Sequence, residues 1–278
     1  MEYLHQAQER FKRQKGASGH DLPRSSGNSL SQTPPIVYSS TRTISLPDQA
    51  ARAYPLITGS EEGEFVDAYK ILRAQVIRQF KEKGWNVLGV SSPTRHEGKT
   101  LTAVNLSLAL AMDLAHTVLL VDTDLGRPTV HRAFGLAQAQ GLTEYLFDAA
   151  PLAQLLFHPG VGRLVVLPGG RAIKNSAEAL ASPKMAALAQ ELKHRYPSRF
   201  IVFDLPPVLS RPDVLGFSPY VDALMLVAEE GRTSSADVEQ ALAVIGDSVP
   251  ILGGVLNKAG RKQLTKRRVT DLLRIHVS

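Results

Sequence analysis

Cysteine is the first absence in this chain of 278 residues, which contains none. Disulfide frameworks, thiolate metal sites and cysteine nucleophiles are therefore excluded. A run of apolar residues long enough to cross a membrane is also absent, because the most apolar region, residues 101–121, is interrupted by Asn105, Asp113 and His116. The N-terminus is polar and has no signal-peptide pattern. Together these absences predict a cytoplasmic protein.

Acidic side chains are outnumbered by basic ones, since 32 Lys and Arg face 26 Asp and Glu, which gives a formal net charge of +6 and a pI of about 9.5. This balance is compatible with nucleotides or an anionic membrane surface as partners. We expect no nucleic-acid partner, because a basic excess of this kind is typical of a solvated surface. The length suffices for one full α/β domain with extensions, or for two small domains.

Composition divides the chain into three parts. Residues 1–60 combine a short basic helix, predicted over 1–15, with a flexible linker rich in serine and proline. The helix either frays in solution or docks on a partner or membrane surface. Residues 61–260 carry the regular patterns of a folded domain, and residues 261–278 form a basic tail. We therefore expect the chemistry in the central part.

Helical and strand patterns alternate through that central part. Residues 61–83 repeat apolar side chains at helical spacing, with acids first, bases last and Gly84 as a stop. Strands are predicted at 85–90, 117–121, 163–167, 200–204, 222–227 and 251–256, and further helices at 98–115, 185–196 and 237–246. This alternation predicts an α/β fold in which helices cover both faces of a mostly parallel sheet, a three-layer α/β/α arrangement.

The stretch SSPTRHEGKT, residues 91–100, ends like a phosphate-binding loop, although Pro93 stands where the usual pattern begins with glycine. The final tripeptide often occurs by chance, but here a predicted strand precedes it and an apolar helix follows, as such a loop requires. Gly98 permits close approach of the backbone to phosphate. Lys99 supplies positive charge to the β- and γ-phosphates, and Thr100 offers a hydroxyl to Mg²⁺. The sequence therefore predicts a nucleotide site.

Two residues inside this loop are unusual, since Arg95 and His96 stand where such loops often carry Pro-Gly. A left-handed backbone at His96 would cost about 1 kcal/mol. Arg95 either adds charge near the phosphates or faces solvent. The candidate nucleotide-binding residues of the loop are Arg95, His96, Glu97, Gly98, Lys99, Thr100 and Leu101.

Three aspartates follow two hydrophobic strands. The segment VLLVDTDLGRP ends its strand with Asp122 and Asp124, and FIVFDLPP ends another with Asp204. In an open parallel sheet, the carboxyl ends of strands near a phosphate loop form the ligand site. A lone aspartate could simply cap a loop, but three acids beside a triphosphate require a cation, which predicts Mg²⁺. One of these carboxylates could also accept a proton from an attacking hydroxyl.

The order and spacing of these motifs resemble the cytoplasmic kinase module of bacterial tyrosine kinases, the CpsD/CapB-like proteins of capsule and exopolysaccharide synthesis, which belong with the MinD/ParA-type P-loop ATPases. The resemblance covers roughly residues 60–258. SSPTRHEGKT is similar to the Walker A loop, VLLVDTDLGRP to the Walker A′ motif and FIVFDLPPVL to Walker B. Weaker similarities are GLTEYL, NSAEALAS and GGVLNK, which begin at Gly141, Asn175 and Gly253.

The resemblance implies a P-loop enzyme, an ATP- and Mg²⁺-dependent protein-tyrosine kinase. Its catalytic residues would be Lys99, Asp122 and Asp124, with Asp122 as the candidate base. Thr100, Asp122 and Asp204 would hold the metal.

Contacts outside the catalytic centre are implied as well. Asn257 resembles the family's adenine-contacting asparagine. Asp67, Lys70 and Arg73 resemble an oligomerisation motif, Glu-x-x-Arg-x-x-Arg, and fit an ordinary charged helix face equally well. The implied partner is a membrane-embedded polysaccharide chain-length regulator supplied in trans, which would hold the protein at the inner face of the plasma membrane.

The sequence also departs from the family. Gly126 stands where the motif DLRxP carries arginine, and Ser176 follows Asn175 where the family has Asn-Pro. The last tyrosine is Tyr220, so the tyrosine-rich tail is missing. Two other functions remain open at this point: a MinD/ParA-like nucleotide-switched ATPase, and a non-catalytic nucleotide sensor that regulates a membrane polysaccharide co-polymerase. The first is disfavoured because residues 91–98 lack the additional lysine that those ATPases carry.

Overall fold

A computed structural model describes the protein over residues 41–46, 54–59, 61–113, 116–195 and 199–259. The predicted helix over 1–15, the linker that follows it and the basic tail over 261–278 lie outside the described residues. None of the described helices has both the length and the hydrophobicity needed to span a bilayer.

The described residues contain one sheet of eight strands in the order β1-β4-β5-β3-β6-β2-β7-β8. The strands are β1 Arg42–Thr43, β2 Val87–Ser91, β3 Thr117–Asp122, β4 Phe157–His158, β5 Leu164–Leu167, β6 Arg199–Asp204, β7 Ala223–Glu229 and β8 Ile251–Asn257. The predicted mostly parallel sheet is confirmed. The exception is the antiparallel pair β4–β5, because the loop over 159–163 is too short for the crossover that parallel pairing needs.

Helices connect the strands and cover the sheet. They are α1 Glu64–Lys83, α2 Lys99–Ala111, α3 Val130–Ala133, α4 Leu142–Asp148, α5 Leu152–Leu155, α6 Ser176–Leu180, α7 Pro183–Arg195, α8 Asp213–Phe217 and α9 Ser235–Ile245. The longer ones were predicted to within a few residues at most ends. The first ends at Gly84, whose φ of 70° is left-handed, as the predicted glycine stop requires.

The core lies mainly between the sheet and its helices, with α2 at its centre. From Thr102 to Ala111 every residue of this helix is buried, as expected of a helix packed between a sheet and a second helix. Leu56 and Ile57 belong to the same hydrophobic cluster, and the Ile57 amide donates to Asn105 Oδ1 at 2.9 Å. Residues before position 61 therefore contribute to this core.

The strand order brings the predicted motifs to one edge of the sheet. Strand β6 lies between β3 and β2, so the three strands that carry the acids and the phosphate loop are neighbours. Asp122 is directly opposite Asp204 in the parallel register of β3 and β6. The loop over 92–98 leaves the same edge and enters α2. This edge is the place where a site can form.

Candidate active site

The loop between β2 and α2 has two residues in the left-handed region. Gly98 has a φ of 92° and His96 a φ of 67°. The left-handed conformation considered for His96 is therefore present, and it strains this non-glycine residue by about 1 kcal/mol. The loop adopts its shape despite that cost, because contacts elsewhere along it fix the backbone.

One of those contacts comes from Asn257, the last residue of β8. Its Nδ2 donates to the carbonyl oxygen of Glu97 at 2.9 Å. A Cβ on Gly98 would lie 1.9 Å from the same Nδ2, so only glycine leaves room for the amide. Asn257 therefore anchors the phosphate loop, and its contact with adenine stays a prediction.

A second contact is made by the side chain of Glu97, which is fully buried. Its carboxylate accepts hydrogen bonds from the amide and hydroxyl of Thr94 at 2.7 and 2.9 Å. It also accepts one from the hydroxyl of Thr233 at 2.5 Å. Glu97, predicted to bind the nucleotide, thus closes the loop and ties it to the segment between β7 and α9. Sequence reasoning missed Thr233, because nothing in its surroundings marks it as a partner of this loop.

Lys99 lies among the three aspartates. Its Nζ is 3.1 Å from Asp124 Oδ2 and 3.3 Å from Asp204 Oδ1. The hydroxyl of Thr100 donates to Asp204 Oδ2 at 2.6 Å. The structure therefore brings together the lysine and threonine of the loop and the acids of both strand ends, as the sequence predicted.

Burial and charge shift the pKa values of this cluster. Burial, reinforced by the charge of Asp204, raises the pKa of Asp122 to about 8. Burial also raises the pKa of Asp204, although Lys99 and the Thr100 hydroxyl oppose the shift. For Lys99, burial lowers the pKa but the carboxylates, that of Asp204 most strongly, outweigh it, so that the pKa rises. The ammonium is therefore charged, and two acids retain protons more readily than ordinary aspartates.

Asp122 organises the loop that follows β3. Its Oδ2 accepts the amides of Thr129 and Val130 at 2.9 and 3.0 Å, and its Oδ1 accepts the amide of Asp124 at 3.2 Å. Gly169 packs against this carboxyl, since a Cβ there would lie 3.2 Å from Asp122 Cγ. The carboxylate is thus fixed in position by backbone donors, and the glycine after β5 permits this close approach.

The other predicted residues have different surroundings. His96 is exposed and Arg95 is partly exposed, while Leu101 packs against the hydrophobic core. In the proposed oligomerisation triad, Asp67 and Lys70 form an exposed ion pair at 3.1 Å. Arg73 instead donates to the carbonyl of Ala109 at 3.1 Å, which satisfies an acceptor near the C-terminal end of α2.

The oxygen donors fit a magnesium ion. Among the described residues there is no group of three or more acidic, histidine or cysteine side chains that could enclose a metal by itself. Mg²⁺ does not need such an enclosure, because it usually takes one or two carboxylates together with phosphate oxygens and waters. Asp204 and the Thr100 hydroxyl, 2.6 Å apart, supply a carboxylate and a hydroxyl beside the phosphate loop.

Comparison with known proteins finds tyrosine-protein kinases and a polysaccharide transport protein among the relatives of this chain. No family model matches the chain. It is 31% identical over 194 residues to the tyrosine-protein kinase YwqD of Bacillus subtilis, covering 69% of this chain and 80% of that protein. It is 28% identical over 217 residues to the succinoglycan biosynthesis transport protein ExoP of Rhizobium meliloti, covering 76% of this chain but only 27% of that protein.

Solved structures agree with this result. The kinase domain of the Escherichia coli tyrosine kinase Etk superposes with a TM-score of 0.65 at 25% identity, over 81% of this chain and 92% of that domain. The septum site-determining protein MinD of Pyrococcus horikoshii, solved with Mg-ADP, superposes with a TM-score of 0.56 at 22% identity, over 69% of this chain and 78% of that protein. The second likeness is one of fold alone.

Proposed function

The chain belongs to the bacterial tyrosine-protein kinase family, and from that membership we propose that it binds ATP with Mg²⁺ and transfers the γ-phosphoryl group to a protein tyrosine in exopolysaccharide or capsule biosynthesis. The observation that carries this proposal is Lys99, held 3.1 Å from Asp124 and 3.3 Å from Asp204 at the start of α2. A charged lysine at a helix N-terminus beside acids at strand ends suits phosphoryl transfer, in which positioning and electrostatics supply most of the catalysis.

In the proposed complex, Lys99 and the loop amides bind the β- and γ-phosphates. Lys99 then exchanges part of its contact with the aspartates for phosphate oxygens. Asp204, Asp122 and the hydroxyl of Thr100 would hold Mg²⁺, and a bound magnesium ion supplies positive charge that neutralises the phosphates and the carboxylates together. Glu97 and Asn257 keep the loop in the required shape through the contacts described above.

Asp122 is the proposed general base for the tyrosine hydroxyl. Its raised pKa of about 8 is closer to the pKa of the tyrosine phenol than that of an ordinary aspartate. This smaller difference in pKa favours proton transfer. The amides of Thr129 and Val130 fix one of its oxygens. Asp124, whose side chain is the most exposed of the three acids, would orient Lys99 and meet the incoming substrate.

The proposed partner is a membrane-embedded polysaccharide chain-length regulator supplied in trans. Support comes from ExoP, a protein named for succinoglycan transport, in which the similar region is about a quarter of the length. Binding to such a partner would place this domain at the inner face of the plasma membrane. We further propose a homo-oligomer through the face that carries Asp67, Lys70 and Arg73, and a nucleotide-binding domain over residues 61–260.

Transfer of labelled phosphate tests the function. The purified protein is incubated with ATP labelled at the γ-phosphate and with Mg²⁺, alone and with a tyrosine-containing peptide, and the labelled residues are mapped. We expect phosphotyrosine in the wild type and none with Lys99→Ala. Lys81→Ala, which removes an exposed lysine from α1, is the matched control and should label normally.

The same experiment separates the other candidate functions. Release of phosphate without labelled protein would indicate a nucleotide-switched ATPase, the activity class suggested by the MinD-like fold. Nucleotide binding with neither labelling nor release would indicate a sensor. A wild type that binds no nucleotide would contradict the assignment of the loop itself.

A further inference from the structure

The guanidinium of Arg211 lies directly over Gly126. A Cβ on this glycine would lie 2.2 Å from Nη1, 2.5 Å from Cζ and 2.7 Å from Nη2 of Arg211. Real Cβ atoms do not approach other atoms that closely, so the guanidinium occupies the volume in which a side chain at position 126 would begin. Arg211, which follows β6, therefore places its positive charge beside the segment that follows β3.

A third segment holds this cation in place. Arg211 Nη1 donates to the hydroxyl of Ser176, the first residue of α6, at 2.8 Å. Gly126 and Ser176 are both positions at which the sequence departs from the family's motifs, and both contact Arg211. A proline at 176 would offer no hydroxyl, and any side chain at 126 would displace the guanidinium. The two departures therefore form one arrangement together with Arg211.

The charge of Arg211 has no acidic counterpart in the part of the chain that the structure describes. Its one hydrogen bond in that part, to Ser176, uses one of five N–H donors. Lys99, in contrast, has two carboxylates within ion-pair distance. The side chain of Arg211 is partly exposed. A planar cation with free donors is suited to bidentate binding of a phosphate group.

Arg211 lies in a segment that also contacts the phosphate loop, because the amide of Leu209, two residues before it, donates to the carbonyl of Pro93 at 3.1 Å. The phosphate loop follows β2, Arg211 follows β6, Gly126 follows β3 and Ser176 follows β5, and these four strands are consecutive in the sheet. Gly126 is two residues from Asp124, whose carboxylate lies 3.1 Å from Lys99. A phosphoryl group bound beside Lys99 and the acids would thus lie close to the segments that hold Arg211.

We propose that Arg211 binds the phosphoryl group that this site transfers, either as the γ-phosphate of ATP or as the phosphate on the tyrosine product. This inference rests on the proposed function and deepens it by naming a second cation at the site. Because the guanidinium replaces a side chain at position 126, the proposal also states that Gly126 must remain a glycine for Arg211 to act.

Two binding measurements on the full chain test the proposal. One compares the affinities for a non-hydrolysable ATP analogue and for ADP, both with Mg²⁺. The other compares a short phosphotyrosine peptide with the same peptide unphosphorylated. We expect Arg211→Ala to weaken binding of the analogue or of the phosphopeptide at least tenfold, while affinity for ADP changes less than twofold. A loss with the analogue identifies the γ-phosphate as the ligand, and a loss with the phosphopeptide identifies the product.

Gly126→Ala provides an independent test, because it leaves the arginine in the chain but displaces its guanidinium. It should reproduce most of the loss of phosphate affinity caused by Arg211→Ala. The double variant should bind the same ligand no more weakly than Arg211→Ala alone. Arg163→Ala removes an arginine next to the start of β5, at the opposite edge of the sheet, and should change neither affinity.

Melting temperatures identify variants that fail to fold. If Arg211→Ala does not fold, Ser176→Ala removes only the anchoring hydroxyl and should weaken the same binding by a smaller factor. Folded Arg211→Ala protein with both phosphate affinities within twofold of wild type would overturn the proposal. ADP binding by the wild type tests the proposed function separately, and the phosphopeptide measurement decides on Arg211 even if nucleotide binding is absent.

Discussion

The hydroxyl of Thr100 donates a 2.6 Å hydrogen bond to the carboxylate of Asp204. The other oxygen of this carboxylate lies 3.3 Å from Lys99 Nζ. One buried acid from β6 therefore contacts two successive residues of the phosphate loop. This contact holds the start of α2 against the end of β6.

Thr100→Val removes the hydroxyl while preserving the shape of the side chain. We expect the variant to lose about 1–3 kcal/mol of stability, because the carboxylate of Asp204 loses a hydrogen bond inside the protein. Affinity for Mg²⁺-nucleotide should fall at least tenfold. Thr100→Ser, which keeps the hydroxyl, is the control, and calorimetric titration with denaturant melts measures both effects. Equal nucleotide affinity in the two variants would contradict a role for the hydroxyl.

Gly98→Ala should be among the most damaging single changes in the loop. Its φ is 92°, and the new Cβ would lie 1.9 Å from Asn257 Nδ2, so strain and a lost hydrogen bond add to about 2 kcal/mol or more. Gly216→Ala is the matched control, since nothing lies within 4 Å of its Cβ position and alanine favours helices. Thermal melts should show a loss for the first and little change or a gain for the second. Equal melting temperatures would show that the loop tolerates a side chain at 98.

The raised pKa of Asp122 predicts a pH dependence of stability. An unfolded aspartate has a pKa near 3.9, whereas the pKa of Asp122 in the folded protein is about 8. Between these values the folded state holds a proton that the unfolded state has released. This contribution to the free energy of unfolding is therefore fully present below about pH 4 and is lost as the pH rises through about 8.

Denaturant melts between pH 5.5 and 8.5, without nucleotide and with a chelator, measure this dependence. The slope for one proton is at most about 1.4 kcal/mol per pH unit. Asp122→Asn should flatten the decline, although not completely, because the pKa of Asp204 is raised as well. If the free energies of unfolding of the wild type and Asp122→Asn fell equally with pH, the raised pKa assigned to Asp122 would be contradicted.

The charged residues on one face of α1 have two different roles: Arg73 stabilises the fold, and Asp67 and Lys70 are exposed. Arg73 donates to the carbonyl of Ala109, so Arg73→Ala should lower the melting temperature by a few degrees, as loss of one hydrogen bond does in a protein of this size. Asp67 and Lys70 are exposed and bond only weakly to each other, so they are available to a second copy of the chain.

Lys70→Glu should therefore reduce the particle mass measured by light scattering while leaving the melting temperature nearly unchanged. Lys83→Glu, an exposed change at the end of the same helix, is the control. If Lys70→Glu has the mass of the wild type, the oligomerisation proposal fails for this face.

Much of this arrangement could be predicted from the sequence. The apolar strands around Val90, Val121 and Phe203 and the apolar helix after Thr100 have patterns that local physics determines. Once the sheet is parallel, the carboxyl ends of its strands share an edge, so Lys99 and the acids are predicted to lie at the same edge of the sheet.

The contacts between loops could not be predicted in this way. Thr233, Gly169 and Arg211 belong to segments whose meeting depends on the strand order, which no local pattern contains. The strand Phe157–His158 is too short for periodicity to reveal. The sequence suggests that His96 could have a left-handed backbone. Whether it does depends on the hydrogen bonds of Glu97 and Asn257, which the sequence pattern does not reveal.

The pairing of β2 has a consequence for the order in which the protein assembles during synthesis. Its two neighbours in the sheet are β6 and β7, both of which are translated long after it. Strand β2, which precedes the phosphate loop, therefore leaves the ribosome before either of its partner strands has been translated. Contacts between residues far apart in the sequence form slowly. Until β6 and β7 are present, the apolar strand β2 is exposed. The nucleotide site can therefore form only after β6 and β7 have been translated.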